Sequence, residues 1–220
     1  MMTGIIHHCL QGSEAWDELR RGKITASRFK SIITAKKGER SSSASDYIAE
    51  LLTPSFFENW AKFLGNDSTD HGTEHEPLAR DAFQEQTGLK VVQLGFITMK
   101  DHPLIGYSPD GLIVGPDGEY QSTLEIKCPN PHTHIKHFMA GTLPDVYKAQ
   151  VHGSMAVTGL NEAHFYSYCE GLAPLHVVVT RDAYTESLTN SIIEFEAEYC
   201  RALDEFLPKL EPKSKPEESE

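Results

Sequence analysis

The sequence predicts a mixed α/β fold, a central mixed β-sheet flanked by helices, and three observations carry that reading. Short runs rich in β-branched and aromatic residues (Val91–Met99, Leu112–Val114, Leu124–Ile126, Ala163–Cys169 and Leu175–Thr180) have the character of strands. Around them lie segments whose apolar residues recur at helical spacing. At 220 residues and 39% hydrophobic content, the chain suffices for one compact domain with a real core.

In order, residues 13–34 predict two short helices around a turn. Ser13 is the N-cap, Trp16 and Leu19 share a face, and Gly22 is the stop; Thr25 or Ser27 caps the next helix, with Phe29, Ile32 and Ile33 inward. Arg20 offers a planar fork that, with Ser27 and free backbone N–H groups, would make a phosphate pocket; the alternative is a capped hairpin with solvated arginines. Residues 36–46 are a polar, Ser-rich loop expected to be mobile. Tyr47–Leu64 is helical with a break near Pro54, and its stripe of Phe56, Phe57, Trp60 and Phe63 is expected in the core.

Residues 72–88 predict a helix with Leu78, Ala79, Ala82 and Phe83 inward and Gly88 as its stop. Glu74 and Glu76 lie in its first turns, and only one need face a site. Val91–Met99 follows as one strand. Residues 130–144 hold His132, His134 and His137 at spacings that fit no common zinc pattern, so a loop with solvated or DNA-facing histidines is expected. Asp145–Thr158 is a helix with Val146, Ala149, Val151 and Met155 buried and Lys148 exposed. The strand Leu175–Thr180 is β-branched enough to be buried. A long helix over 182–207 carries one stripe, from Leu188 through Phe206, that packs on the body or on a neighbouring subunit. Residues 1–207 are thus expected to form a single domain, and 208–220 a disordered acidic, Pro-rich tail.

The formal charge of −12 argues against a general nucleic-acid coat protein. The distribution is uneven, however: residues 20–40 carry eight Lys or Arg against Glu39 alone, which suggests a basic groove on an acidic body. No apolar run approaches the roughly 18 residues of a membrane span. The N-terminus lacks a signal-peptide layout, and Cys9, Cys128, Cys169 and Cys200 are scattered; free thiols and a cytoplasmic location are expected.

The chemistry concentrates in IGYSPDGLIVGPDGEYQSTLEIKCP, residues 105–129. Pro109-Asp110 is followed fifteen positions on by Glu125-Ile126-Lys127, and the turn formers at 115–118 imply a hairpin between them. Glu125 and Lys127 share a strand face, and the hairpin can bring Asp110 beside them. Two carboxylates and an ammonium on one spot call for a counter-ion, and a hard cation such as Mg²⁺ suits them. Asp110, Glu125 and the Ile126 carbonyl would be its ligands, and Lys127 would orient or deprotonate a water. This is the PD-(D/E)xK arrangement of many metal-dependent nucleases; the alternative is a surface hairpin with an incidental salt bridge.

Four segments together resemble the phage lambda exonuclease family, the YqaJ-type viral recombinase nucleases. AWDELRRGKITAS, GTEHEPLAR, SPDG with LEIKCP, and YKAQVHGSMAVT match its motifs in the same order over residues 13–200. The resemblance implies a restriction-endonuclease-like PD-(D/E)xK core. It also implies Mg²⁺ (or Mn²⁺) on Asp110, Glu125 and the Ile126 carbonyl, with Glu76 rather than Glu74 at a second metal or its water. Lys127 would activate that water and Gln150 would position it. Arg20, Ser27 and Ser108 map onto a 5′-phosphate pocket, supported by Trp16. An apolar strand-splitting wedge would lie between roughly residues 62 and 73, with Leu64 as a candidate. Family members are toroidal homotrimers that digest one strand of duplex DNA 5′→3′ from its ends, processively, to mononucleotides. The 3′ overhang they leave goes to a single-strand annealing protein, in a phage-infected or prophage-bearing bacterial host. Two alternatives remain: a sequence- or structure-specific endonuclease of the same fold, which would cut closed circular DNA, and a non-catalytic DNA-binding recombination module.

Overall fold

The computed structural model describes residues 1–57 and 70–210, with side chains throughout except over 70–74. The readings that fall on Trp60, Phe63, Leu64, the Glu74 side chain and the tail from 211 lie outside those residues.

The α/β prediction stands, with two mixed sheets in place of one. The first holds β1 (Ile5–His7), β2 (Ile24–Thr25), β4 (Phe96–Met99) and β5 (His102–Tyr107) in the order β1-β4-β5-β2. The second, central sheet holds β3 (Lys90–Val92), β6 (Gly111–Val114), β7 (Tyr120–Lys127), β8 (Glu162–Ser167) and β9 (Leu175–Thr180) in the order β3-β6-β7-β8-β9. The segment expected as one strand over 91–99 is therefore divided between the sheets. The break falls at Gln93–Gly95, where the Cys9 backbone comes so close that a Cβ on Gly95 would lie 2.3 Å from the Cys9 carbonyl oxygen.

Helix α1 (Glu14–Arg20) begins as expected, with Ser13 Oγ accepting from the Trp16 N–H at 3.3 Å. No second α-helix follows Gly22. Ile24 and Thr25 are buried and pair in parallel with Ile105 and Gly106, and a 3-10 turn over Ala26–Ser31 follows. Sheet pairing overrides the local capping signals here. Phe29, Ile32 and Ile33 are buried as expected. The polar 36–46 loop is tied down: Ile33 and Arg40 form a bridge, and Arg40 grips Glu198 at 2.8 and 2.5 Å. Helix α2 (Ala44–Leu52) starts inside it and breaks at Pro54, but Phe57 is 52% exposed, not core.

Helix α3 (Asp70–Thr87) stops at Gly88, with Ala79 and Phe83 inward. Leu78 is exposed, contrary to expectation, because the buried line runs through 79 and 83, four apart. Residues 131–140 form a helix, α4 (Pro131–Ala140), where a loop was expected. Its signals are in the sequence: Asn130 caps the Thr133 N–H, Pro131 opens the first turn, and Gly141 closes it at φ +63°. His134 and His137 are buried, not DNA-facing. His134 Nε2 meets the Ala173 carbonyl and Nδ1 the Ser167 hydroxyl, both at 2.9 Å, so the ring tethers α4 to the end of β8 and the loop after it.

Helix α5 (Asp145–Thr158) buries Ala149, Val151 and Met155 but leaves Val146 exposed; Lys148 lies over the Tyr184 ring, 4.2 Å from its centroid. Strand β9 is an edge strand with alternating burial, so Val178 is exposed and the fully buried reading fails. Helix α6 (Ala183–Leu210) seats Leu188, Ile192, Phe195 and Tyr199 on the body and runs through Pro208 to Leu210, past its expected end. Alternation along β7 places Leu124 and Ile126 on the α3 side with Ala79 and Phe83. Thr123, Glu125 and Lys127 face α5, where Ser154, Gln150 and Tyr147 receive them.

Helix α5 lies close on the 3-10 turn because Gly153 has no side chain: a Cβ there would sit 2.4 Å from the buried Phe29 ring. Gly153→Ala regains about 1 kcal/mol of helix propensity against about 1–3 kcal/mol of overpacking. A net loss of stability is expected in urea unfolding; a raised midpoint would show that Phe29 retreats freely.

Candidate active site

Strand β7 outruns its partner. The β6–β7 ladder ends at Gly111 and Leu124, leaving the Ile126 N–H without a strand on that side. Asp110, one residue before β6, takes its place: Oδ2 accepts from the Ile126 N–H at 2.7 Å. The N–H and C=O of one strand residue point the same way, so the Ile126 carbonyl also faces Asp110. The other Asp110 oxygen receives no hydrogen bond from the described residues. Gln11 Nε2 holds this turn by donating to the Pro109 and Leu94 carbonyls at 2.8 and 2.7 Å.

Glu125 is almost wholly buried. Its Oε1 accepts from Lys127 Nζ at 2.6 Å and from Gln150 Nε2, while the Tyr107 hydroxyl lies 3.4 Å from Oε2. The Lys127 ammonium sits 5.5 Å from the Tyr147 ring centroid. Glu76, on α3, pairs with Arg80, whose Nε donates to the Asp110 carbonyl at 3.0 Å.

Burial and the Asp110 charge push Glu125 up to about 8, Lys127 pulling the other way. Burial and Asp110 likewise push Glu76 to about 7, against Arg80 and Lys127. Burial raises Asp110 too, opposed first by Lys127. For Lys127, burial disfavours the charge, but Glu125 and Asp110 outweigh it and hold the ammonium protonated. Next to them the Cys128 thiol is pushed up to about 11, by burial first and then by Glu76 and Asp110, which makes it a poor nucleophile.

The second group of expected residues gathers one step away. Arg20 Nη1 donates to Ser108 Oγ at 2.9 Å, and its guanidinium carbon lies 4.1 Å from the Trp16 ring centroid. Trp16 Nε1 is anchored on the Gly95 carbonyl at 3.1 Å. The parallel pairing of Thr25 with Gly106 carries Ser27 and Ser108 out of the same end of the sheet, and Ser27 Oγ lies 3.4 Å from Thr25 Oγ1. Burial lowers the Arg20 pKa, and no carboxylate lies within 4 Å among the described residues. Three arginines of the wider basic stretch are paired with acids: Arg21, Arg28 and Arg40 lie on Glu18, Glu50 and Glu198.

The donor set fits a hard cation. Asp110, Glu125 and the Ile126 carbonyl offer oxygens at one place, in an excess of buried negative charge. Among the described residues no three Asp, Glu, His or Cys side chains form a cage of their own. That suits Mg²⁺, which takes one or two carboxylates and leaves its other positions to water and phosphate. Reasoning from sequence missed Arg80, Tyr107 and Gln11. Arg80 had one signal, its i,i+4 spacing from Glu76; the others depend on long-range folding.

A hairpin bringing Asp110 beside Glu125-x-Lys127, backed by an acid-bearing helix, defines a PD-(D/E)xK nuclease fold. The chain belongs to the YqaJ-like viral recombinase family, whose domain model matches residues 15–161. It is similar to the alkaline exonuclease LHK-Exo of Laribacter hongkongensis, 29% identical, with a TM-score of 0.66 over 87% of this chain and 97% of that one. The dAMP complex of the same enzyme gives 0.65 at 29% identity over the same shares. A phage-related exonuclease of Haemophilus somnus shares the fold at 18% identity and a TM-score of 0.59, over 83% of this chain and 95% of that one. No curated protein matches the chain. The fold that the chain shares with these structures is thus one carried by exonucleases.

Without metal, Glu125 and Glu76 bind protons more tightly folded (about 8 and 7) than unfolded (4.5). Their share of stability is present at low pH and is lost as pH rises toward 8. Buried His152 and half-buried His176, both lowered chiefly by desolvation, act with the opposite sign near pH 6.5, so the test is a difference. In EDTA, the melting temperature of the parent relative to Glu125→Gln is expected to fall from about pH 5 to pH 8. A rising difference would contradict the site's electrostatics.

Proposed function

We propose that this chain is a Mg²⁺-dependent exonuclease that enters at ends of linear double-stranded DNA. It would degrade one strand 5′→3′, processively, to mononucleotides and leave a 3′ overhang for annealing. The observation that carries the reading is the meeting of Asp110, on the Ile126 N–H at 2.7 Å, with Glu125 and its Lys127 partner at 2.6 Å.

Asp110, Glu125 and the Ile126 carbonyl hold Mg²⁺ (or Mn²⁺), with Glu76 at a second ion or its water. Bound there, the metal supplies charge stabilisation for the phosphodiester under attack. Lys127 Nζ keeps its proton beside Glu125 and orients the attacking water by donating to it. Gln150 donates its N–H to Glu125, so its amide oxygen is left to accept from that water. Arg20, half-buried without a carboxylate partner among the described residues, grips the 5′-terminal phosphate with Ser108 and Ser27, and Trp16 fixes the guanidinium plane. Phosphate contacts set register and read no sequence, as a processive enzyme needs.

The family resemblance supports the rest of the assignment: a single nuclease domain over 1–207, a homotrimer around the duplex, a single-strand annealing partner, and the cytoplasm of a bacterial host. Arg21, Arg28 and Arg40 are engaged by acids, whereas Arg20 has no carboxylate partner among the described residues and is the stretch's cation best placed for a phosphate. No described helix is long and apolar enough to cross a membrane.

Digestion of end-labelled linear duplex tests the reading. Cleavage with Mg²⁺, none with EDTA, release of mononucleotides from the 5′ end and untouched closed circles are expected; cut circles would point to an endonuclease. Asp110→Ala and Glu125→Ala are expected to lose at least about 10²–10³-fold in rate. Arg20→Ala should lose about tenfold of the preference for 5′-phosphorylated over hydroxyl ends, on the scale of one charged hydrogen bond. A parent enzyme indifferent to the 5′-phosphate would remove the pocket from the scheme.

A further inference from the structure

Arg80 belongs to neither ligand set, yet its guanidinium joins three parts of the cleft. It is 8% exposed. Nε donates to the Asp110 main-chain carbonyl at 3.0 Å, and Nη2 donates to the Glu76 carboxylate. The Gln93 amide, with its oxygen turned toward Arg80, accepts from Nη1 at 3.0 Å and from Nη2 at 2.9 Å. The partners come from α3, from the turn into β6, and from the connection that passes between the sheets. One N–H of Nε, one of Nη1 and both of Nη2 are thereby used.

What the guanidinium leaves alone is as informative as what it holds. Beside an aspartate, arginine ordinarily takes the carboxylate in a forked pair. Here it takes the Asp110 carbonyl, so one carboxylate oxygen is left to the Ile126 N–H and the other to a ligand. The same group sets a positive charge against Glu76 in a cleft where Glu76, Asp110 and Glu125 face Lys127.

We propose that Arg80 is a positioning residue for the cation site: it fixes Asp110 through the main chain and Glu76 through its carboxylate, and so presets the distance between helix-borne and hairpin-borne acids. The inference rests on Asp110 and Glu125 being ligands. Reaching a carbonyl, a carboxylate and an amide at once requires the planar fork, and a lysine ammonium does not reproduce it.

The test uses the full chain as parent, Arg80→Lys, Arg80→Ala and Asp110→Asn. Mn²⁺ affinity is measured by calorimetry without DNA, and kcat and KM for linear duplex are measured with Mg²⁺. Both Arg80 variants are expected to unfold cooperatively in EDTA and to keep the parent's KM for DNA. They should bind Mn²⁺ about tenfold or more weaker, as removal of groups that orient metal ligands does. Added guanidinium ion should restore part of kcat to Arg80→Ala, and equal ionic strength of NaCl should not. If Asp110→Asn loses Mn²⁺ while both Arg80 variants keep the parent's affinity, this inference falls and the site assignment stands. If Asp110→Asn also keeps it, the assignment fails and takes the inference with it. Failure of both Arg80 variants to fold would make the residue scaffold only, and would overturn the proposal as well.

Discussion

One hydrogen bond organises the catalytic end of the sheet. Strand β6 stops pairing at Gly111, while β7 runs on to Lys127. A strand edge left open in a buried place is costly, because each unpaired N–H forfeits its hydrogen bond. The Asp110 carboxylate fills the gap at Ile126, acting as a substitute for the missing strand. That one contact sets the carboxylate's direction, turns the Ile126 carbonyl toward it, and fixes where Glu125 and Lys127 project on the opposite face. Function here is built on an interrupted ladder, and the interruption is what exposes polar backbone to a ligand.

The cleft is then held in a charge imbalance that only a fold can maintain. Glu76, Asp110 and Glu125 are all pushed above the ordinary carboxylate range, by burial first and in each case against a nearby cation. Packing alone would favour replacing them with hydrocarbon of similar shape. Tyr107, Gln150, Arg80 and Gln11 keep them in place, each giving a donor to the site or to its backbone. A cleft so arranged would suit a divalent cation, since the ion's charge would relieve the repulsion that the donors only contain.

Much of this was legible in the chain because the signals are local. The Pro-Asp, the turn at 115–118 and the alternation through Glu125-Ile126-Lys127 define the hairpin within a single short stretch, and periodicity places α5 and α6. What stayed hidden depends on distant pairing. Nothing local in Val91–Met99 says that its halves join different sheets; the close approach of Cys9 does. Ile24 and Thr25 lie in a segment with helix caps on both sides, and only an edge at Ile105 and Gly106 makes them a strand. The α4 helix was readable from Asn130, Pro131 and Gly141, but its histidines drew attention to solvent chemistry. Arg20 and Ser108 stand 88 residues apart, and only their motifs, not any spacing, joined them.

The two clusters are not independent, and the link is covalent. Ser108 and Asp110 are separated by Pro109 alone, so their Cα atoms lie at most about 7 Å apart along the chain. Proline fixes its own φ, and Gln11 clamps its carbonyl at 2.8 Å, so the segment has little freedom to flex. In the proposed reaction, a phosphate on Arg20 and Ser108 would thereby be held at a set distance from an ion on Asp110 and the Ile126 carbonyl. A rigid spacer of that length between such a grip and the proposed hydrolytic centre would measure off a short unit of backbone at each cut. In the proposed reaction that unit would be one nucleotide, with the Ser-Pro-Asp tripeptide as the ruler.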